Sequence, residues 1–362
     1  MRRYRLRLPA GVIPSCLLED REGNAWLGTV GQGLWRHSDR HLSRYPTPAN
    51  ISPPLAMSTG QLGTLMVGTA AGLQSVSPSG RYGPRLSTGP AVPVRAVLPV
   101  PGSSGSYWAG TAGDGLWIYA PGQTPQRVAG LPGTLDVTAL TYGARSGLWV
   151  GTATNGLFLL PANNGVRHFT TTNGLPHNTI YALLADRAGR VWVGTHGTSL
   201  AAYDVARQRF TYHRPNSRGL IISSFAEDTG GRVWVGTEGQ GMYCFSGNAW
   251  RHYQAAHSPS TNFVYGLLAL PGLPGTSEAG RWLLLSHLQG LSLLDEKTGN
   301  FTPLAANSNP LVRDARGPLA LTTGYRPNAW AATRAGLVRV DLREAFGRTQ
   351  VAPPSWYSPR PK

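Results

Sequence analysis

The side chains able to do chemistry are few enough to place one by one. The chain holds 17 Asp and Glu residues and 9 histidines in 362 residues. Glu19, Asp20, Asp186, Glu227 and Asp228 fall at one recurring turn, where a carboxylate caps backbone N–H groups. Asp204, Asp295 and Asp341 recur at a second position, and Asp114, Glu238 and Asp314 are the loop acids on the expected ligand face. A glycosidase holds two carboxylates about 5–10 Å apart. Asp114 and Glu238 come from distant parts of the repeat described below, so no catalytic pair is assigned. His41, His168, His213 and His252 fall in outer strands and are expected to face solvent, whereas His177, His196, His257 and His287 fall in loops. No two have metal-ligand spacing, and no metal or cofactor is expected. Cys16 and Cys244 are too few for a disulfide scaffold or a zinc site.

The remaining polar residues collect in two sets of loops. One set holds Gln32, Asp114, Asn155, His196, Glu238, Gln240, His287 and Arg334. The adjoining set holds Asn173, His177, Arg218 and Arg313, with Asn178 holding its own turn. Planar amides and guanidinium groups make paired hydrogen bonds, so this mixture suits a hydroxyl-rich or acidic sugar. Tyr265 and Tyr325 are candidates to stack on a pyranose ring.

What positions these loops is a repeat. Trp26-Leu-Gly-Thr29, Met66-Val-Gly-Thr69, Trp108-Ala-Gly-Thr111, Trp149-Val-Gly-Thr152, Trp192-Val-Gly-Thr195 and Trp234-Val-Gly-Thr237 share one frame. Degenerate copies follow at Trp282 and Trp330, and successive anchors are 40, 42, 41, 43, 42, 48 and 48 residues apart. Units of this length imply an all-β fold, a single β-propeller of about eight four-stranded blades, or seven if the Met66 unit or a terminal one stays outside the ring. Within a unit, strands are expected at 180–184, 191–195, 200–203 and 209–213. Period-two alternation puts Trp192 and Gly194 on one face and Val191 and Val193 on the other. Trp26, Trp108, Trp149, Trp192 and Trp234, with Gly28, Gly110, Gly151, Gly194 and Gly236, are thus packing positions between blades. Residues 1–347 form the propeller, with 3–8 expected to supply the fourth strand of the last blade, and 348–362 form a Pro-rich tail.

Composition agrees. The 46 glycines and 29 prolines disfavour helix, while 41% hydrophobic residues supply a core. The net charge of +16 is almost all arginine, spread by the repeat and not gathered into a stripe, so nucleic acid is not expected as a partner. No apolar run is long enough for a membrane span, and no apolar segment follows the basic N-terminus, so membrane insertion and a secretory leader are not expected and the chain as written reads as cytoplasmic.

The blocks Asp186-Arg-Ala-Gly-Arg-Val-Trp-Val-Gly-Thr195, Asp20 to Thr29 and Asp228 to Thr237, together with Asn173-Gly-Leu-Pro-His-Asn178, resemble the two-component regulator propeller repeat. The resemblance implies the input region of a hybrid two-component system, a periplasmic location and recognition of an oligosaccharide. It also implies a membrane histidine kinase or a second propeller as partner, and Ala352 to Lys362 is similar to the linker that leads onward in that family. A sensor without catalysis is the leading expectation. A propeller polysaccharide lyase or glycosidase is the alternative, and a protein-interaction scaffold the third.

Overall fold

In a computed structural model the protein is all β, and residues 13–19, 25–30, 34–37, 42–46, 52–60, 63–86, 92–162, 165–197, 200–215, 219–254, 262–270, 282–304, 317–322, 328–334 and 336–342 are described. The first unit gives β1 (Pro14–Glu19), β2 (Ala25–Thr29), β3 (Leu34–His37) and β4 (Leu42–Pro46). The Met66 and Trp108 units give β5 (Ala56–Thr59), β6 (Leu65–Thr69), β7 (Gly72–Val76), β8 (Tyr82–Arg85), β9 (Val94–Pro99), β10 (Tyr107–Thr111), β11 (Leu116–Tyr119) and β12 (Gln126–Arg127). The next two give β13 (Val137–Gly143), β14 (Gly147–Thr152), β15 (Leu157–Leu160), β16 (Arg167–Phe169), β17 (Ile180–Ala185), β18 (Arg190–Gly197), β19 (Leu200–Asp204) and β20 (Arg209–His213). The last three give β21 (Leu220–Glu227), β22 (Val233–Thr237), β23 (Met242–Ser246), β24 (Ala249–Tyr253), β25 (Val264–Ala269), β26 (Trp282–His287), β27 (Gly290–Asp295), β28 (Asn300–Pro303), β29 (Leu319–Thr322), β30 (Asn328–Thr333) and β31 (Gly336–Asp341).

Each unit is an antiparallel meander whose successive strands are joined by short turns, several with a glycine at positive φ. The second strand is buried throughout, as in β14 and β22, while the fourth strand β20 is largely exposed. Trp192 and Gly194 face the β21–β24 sheet, and Val191 and Val193 face the β13–β16 sheet, as the alternation requires. A Cβ on Gly194 would lie 2.8 Å from Ile222 Cγ2 of the next sheet, so only glycine lets that side chain seat. Gly151 stands in the same relation to Ile180, at 2.6 Å. Trp149, Trp192, Trp234 and Trp330 are fully buried, and Trp108 is half-buried. The side chain of Trp26 lies outside the described residues.

Among the described residues, seven apolar clusters lie between seven successive sheets, running from β5–β8 to β29–β31. The seventh joins Trp330 and Leu337 of the last sheet to Leu65 and Val67 of the β5–β8 sheet. The first strands β5, β9, β13, β17, β21, β25 and β29 are neighbours in the same closed order, so the cycle is complete without β1–β3. The Met66 unit is therefore inside the ring, and β1–β3 forms a separate three-stranded sheet.

Ring closure differs from expectation. Residues 3–8 lie outside the described residues, and the free edge of β31 is taken by β4, with Leu337 opposite Tyr45 and Val340 opposite Leu42. Tyr45 packs against Trp330, the rings tilted by 40° with centres 5.3 Å apart, and Leu42 enters a neighbouring cluster, which gives this strand an apolar reason to dock here.

Candidate functional site

The repeat motif itself proves structural. Asp186 accepts the Arg190 amide at 2.8 Å and the Trp192 indole N–H at 2.8 Å, and pairs with Arg190 Nε at 2.7 Å. Asp228 repeats this with Arg232 and Trp234. Burial works to lower the Arg232 pKa, but hydrogen bonds to Glu296 and Asp228 leave it raised. The repeated threonine is structural as well. Thr111, Thr152 and Thr237 donate to the carbonyls of Gly115, Gly156 and Gly241 and so fix the second-to-third-strand turn. These glycines sit at φ of 75°, 76° and 71°, the left-handed region.

Several predicted ligand residues are absorbed in the same way. Asp114 is tied to Arg127 and accepts the Trp117 indole N–H at 3.1 Å. Asn173 accepts the Thr170 amide at 2.6 Å and donates to the His168 carbonyl at 2.9 Å, holding the inter-blade loop. Asn178 accepts the Thr171 amide. Gln240 donates to the Gly219 carbonyl at 2.6 Å. The Asn155 carbonyl bonds the His168 ring, and its side chain accepts from Thr154. Arg334 is exposed in the turn between β30 and β31. Gln32, Arg218 and Arg313 lie outside the described residues.

Two histidines depart from expectation. His287 is the last residue of β26, pairs with Gly290 across a tight hairpin, and is 2% exposed. Burial pushes its pKa down to about 4. Its placement among loop ligands is therefore corrected: a two-residue turn keeps it inside the ladder. His213 is half-buried against Trp192, 5.0 Å between ring centres, and burial followed by the charge of Arg190 lowers its pKa. It does not face solvent as an outer-strand position suggested. Cys244 is buried in the β21–β28 interface, which pushes its thiol up to about 12 and leaves it inert.

Apart from Arg334, the exposed candidates that lie close to one another gather in one sector. His177 and His196 are exposed with ring centres 5.6 Å apart, and Tyr181 stands 6.5 Å from His196. His196 pairs with Ile221 of the next sheet, whose carbonyl accepts the Glu238 amide at 3.0 Å, and Glu238 in turn bridges Phe263 of the sheet beyond. A backbone ladder thus carries His196, Glu238 and Phe263 across three consecutive blades. The residue after the repeated Thr is Ala70, Ala112 and Ala153 in the earlier ring units but His196 and Glu238 here. Tyr181 and Phe263 are 41% and 39% exposed, unusual for aromatic side chains with a core available.

The innermost strands carry a feature that the sequence hides. Each of β9, β13, β17, β21 and β25 has a register shift that sets one extra residue against its partner: Arg95, Thr138, Tyr181, Ser223 and Tyr265. Such bulges re-aim a side chain. Thr138 donates to the Ile180 carbonyl at 2.6 Å, and Ser223 to the Val264 carbonyl, stitching neighbouring first strands. Arg95 Nη1 donates to both oxygens of Asp136, at 2.9 and 2.8 Å. A cavity of about 320 Å³ lies at the opposite end, between the first turns of the β13–β16 and β17–β20 sheets, lined by Tyr142, Arg145, Ser146 and Arg187. No group of three or more metal-ligating side chains exists among the described residues.

Residues 7–31 and 174–197 match the Two component regulator propeller family. No match is found among curated proteins. The fold is similar to the extracellular domain of the putative one component system BT4673 from B. thetaiotaomicron, with a TM-score of 0.67 and 20% identity over 84% of this chain and 40% of that one. The extracellular domain of the putative hybrid two component system BT3049 from the same organism gives 0.68 and 19% identity, covering 96% of this chain and 49% of that one. This chain thus spans less than half the length of either. Virginiamycin B lyase from Staphylococcus aureus is similar at a TM-score of 0.64 and 10% identity, covering 83% of this chain and 98% of that one.

Proposed function

We propose that this propeller, which carries two-component regulator propeller repeats, is the ligand-binding input domain of a two-component regulator and that its ligand is an oligosaccharide, acidic in preference to neutral. The observation that carries the reading is the run His196, Glu238 and Phe263 across three blades, with His177 and Tyr181 beside it, where His196 and Glu238 stand at a position that is alanine in the three preceding ring units. The exposed rings of Tyr181 and Phe263 each offer a pyranose face a platform, while imidazoles and a carboxylate answer hydroxyl groups. The net charge of +16 favours an acidic chain over a neutral one. In this reading the output passes to a membrane histidine kinase or a second propeller.

The test is calorimetric titration with a panel of neutral and uronate-containing oligosaccharides. Binding should weaken at least ~10-fold in Tyr181→Ala and in His196→Ala, equivalent to about 1.4 kcal/mol each. Leu86→Ala, at an exposed residue following β8, should leave it unchanged. Absence of binding to every member, or binding indifferent to both substitutions, sinks the proposal. The lyase-like fold supplies a second reading, and the same panel tests it: turnover of an acidic polysaccharide that disappears in Glu238→Gln would replace sensing with catalysis.

A further inference from the structure

The second and third strands of the Trp26 and Trp330 units share a pattern found in no other unit. Asn24-Ala-Trp-Leu-Gly-Thr29 followed by Gly33-Leu-Trp-Arg36 parallels Asn328-Ala-Trp-Ala-Ala-Thr333 followed by Gly336-Leu-Val-Arg339. The arginine has a use in the observed ring. Arg339 lies over the Tyr45 ring at 5.5 Å and reaches Ser43 Oγ at 3.4 Å, so it grips β4. Arg36 occupies the equivalent place on β3.

The register of β4 also fits both modules. On β31, Leu337 faces Tyr45 and Arg339 faces Ser43. In the β23–β24 hairpin the equivalent pairs are Met242 with Tyr253 and Cys244 with Arg251, closed by the two-residue turn Gly247-Asn248. Transferred to the first unit, this register sets Leu34 opposite Tyr45 and Arg36 opposite Ser43, with Asp39-Arg40 as the turn. Tyr253 packs on Trp234 of its own unit at 5.0 Å, as Tyr45 does on Trp330. By sequence, β4 is thus the fourth strand of the Trp26 unit, yet it serves the Trp330 unit.

We propose that β1–β3 and β29–β31 are interchangeable modules competing for β4, and that the chain has a second closed form in which β1–β4 fills the seventh blade position and β29–β31 is released. Both forms close a ring of seven blades. The observed form is favoured for two reasons. It seals the ring with a five-residue ladder between segments distant in sequence, from Gly336–Pro46 to Val340–Leu42. The other form needs Asp39 and Arg40 to adopt the positive φ that Gly247 and Asn248 show at 54° and 70°, which an arginine resists. Exchange moves the chain's C-terminal strands between two closed rings and requires β29 to part from both β25 and β5.

Cysteine trapping in the full chain tests this, with Cys16→Ser to remove the exposed native thiol. Ser43→Cys with Arg339→Cys reports the observed pairing, and Ser43→Cys with Arg36→Cys the exchanged one. Oxidised monomer should contain the first bond as the major product and the second as a minor one. Asp39→Asn with Arg40→Gly, which supplies a favoured hairpin turn, should raise the second at least ~10-fold. Trp330→Ala should do the same by weakening the competing module. The proposal is overturned if the bond between positions 36 and 43 stays absent in all three backgrounds while that between 339 and 43 forms, or if it forms only between two copies.

Discussion

His287 shows how little separates a ligand-like residue from a structural one. Its Nε2 bonds Ser292 Oγ at 2.8 Å and its Nδ1 accepts the Gln289 amide at 3.2 Å, so the neutral ring satisfies both neighbours. A second ring proton would point at an N–H. With the native pKa down at about 4 and the unfolded value near 6.5, the unfolded chain takes up the proton first as pH falls. Stability from this group is present above pH 6.5 and is lost between there and pH 4, about 3 kcal/mol in all. Denaturant titrations at pH 7 and 4.5 should show that His287→Gln flattens this decline, and an unchanged slope would count against it. The sequence placed His287 with His196 because both follow the repeated Thr or Ser. The turn length decides between them, and Leu288-Gln289 is a turn only once the β26–β27 register is known.

At the scale of the element, the Asp-x-x-Gly-Arg-x-Trp stretch was legible because every residue in it answers a local need. Asp186 caps the turn, pairs with Arg190 and receives the Trp192 N–H, while Arg190 lies over that indole at 5.0 Å. Asp186→Ala should therefore leave a partly buried guanidinium and an orphaned indole N–H, costing about 3 kcal/mol. Asp204→Ala removes an exposed pair with Arg207 and the cap on the Arg207 amide, and should cost clearly less than that. Equal losses in the two variants would refute the distinction. The bulged residues were not legible. Ile180-Tyr-Ala-Leu-Leu-Ala185 gives no sign that Tyr181 is the extra one, because an insertion of one residue shows only against the partner strand.

For the whole molecule, the repeat announced its eight anchors, but how the ring closes depends on pairing between segments almost 300 residues apart, which no local pattern encodes. Among the described residues, six of the seven interfaces between sheets join sheets that follow each other along the chain, whereas the seventh is held by β4 on β31 and the cluster around Trp330. That seam carries the loop-closure entropy of the ring, so it is where the ring should open first. Tyr45 is the side chain that spans it, packed on Trp330 and under Arg339. Tyr45→Ala should cost about 2–4 kcal/mol at the seam. Native-state hydrogen exchange should then show loss of protection at 336–340 and at 65–69 before any change at 190–197. The β18 strand is flanked by sheets continuous with it, and its opening requires two interfaces to part. Simultaneous loss of protection everywhere would mean that the ring unfolds as one cooperative unit and that β4 is no weaker than the covalent joins.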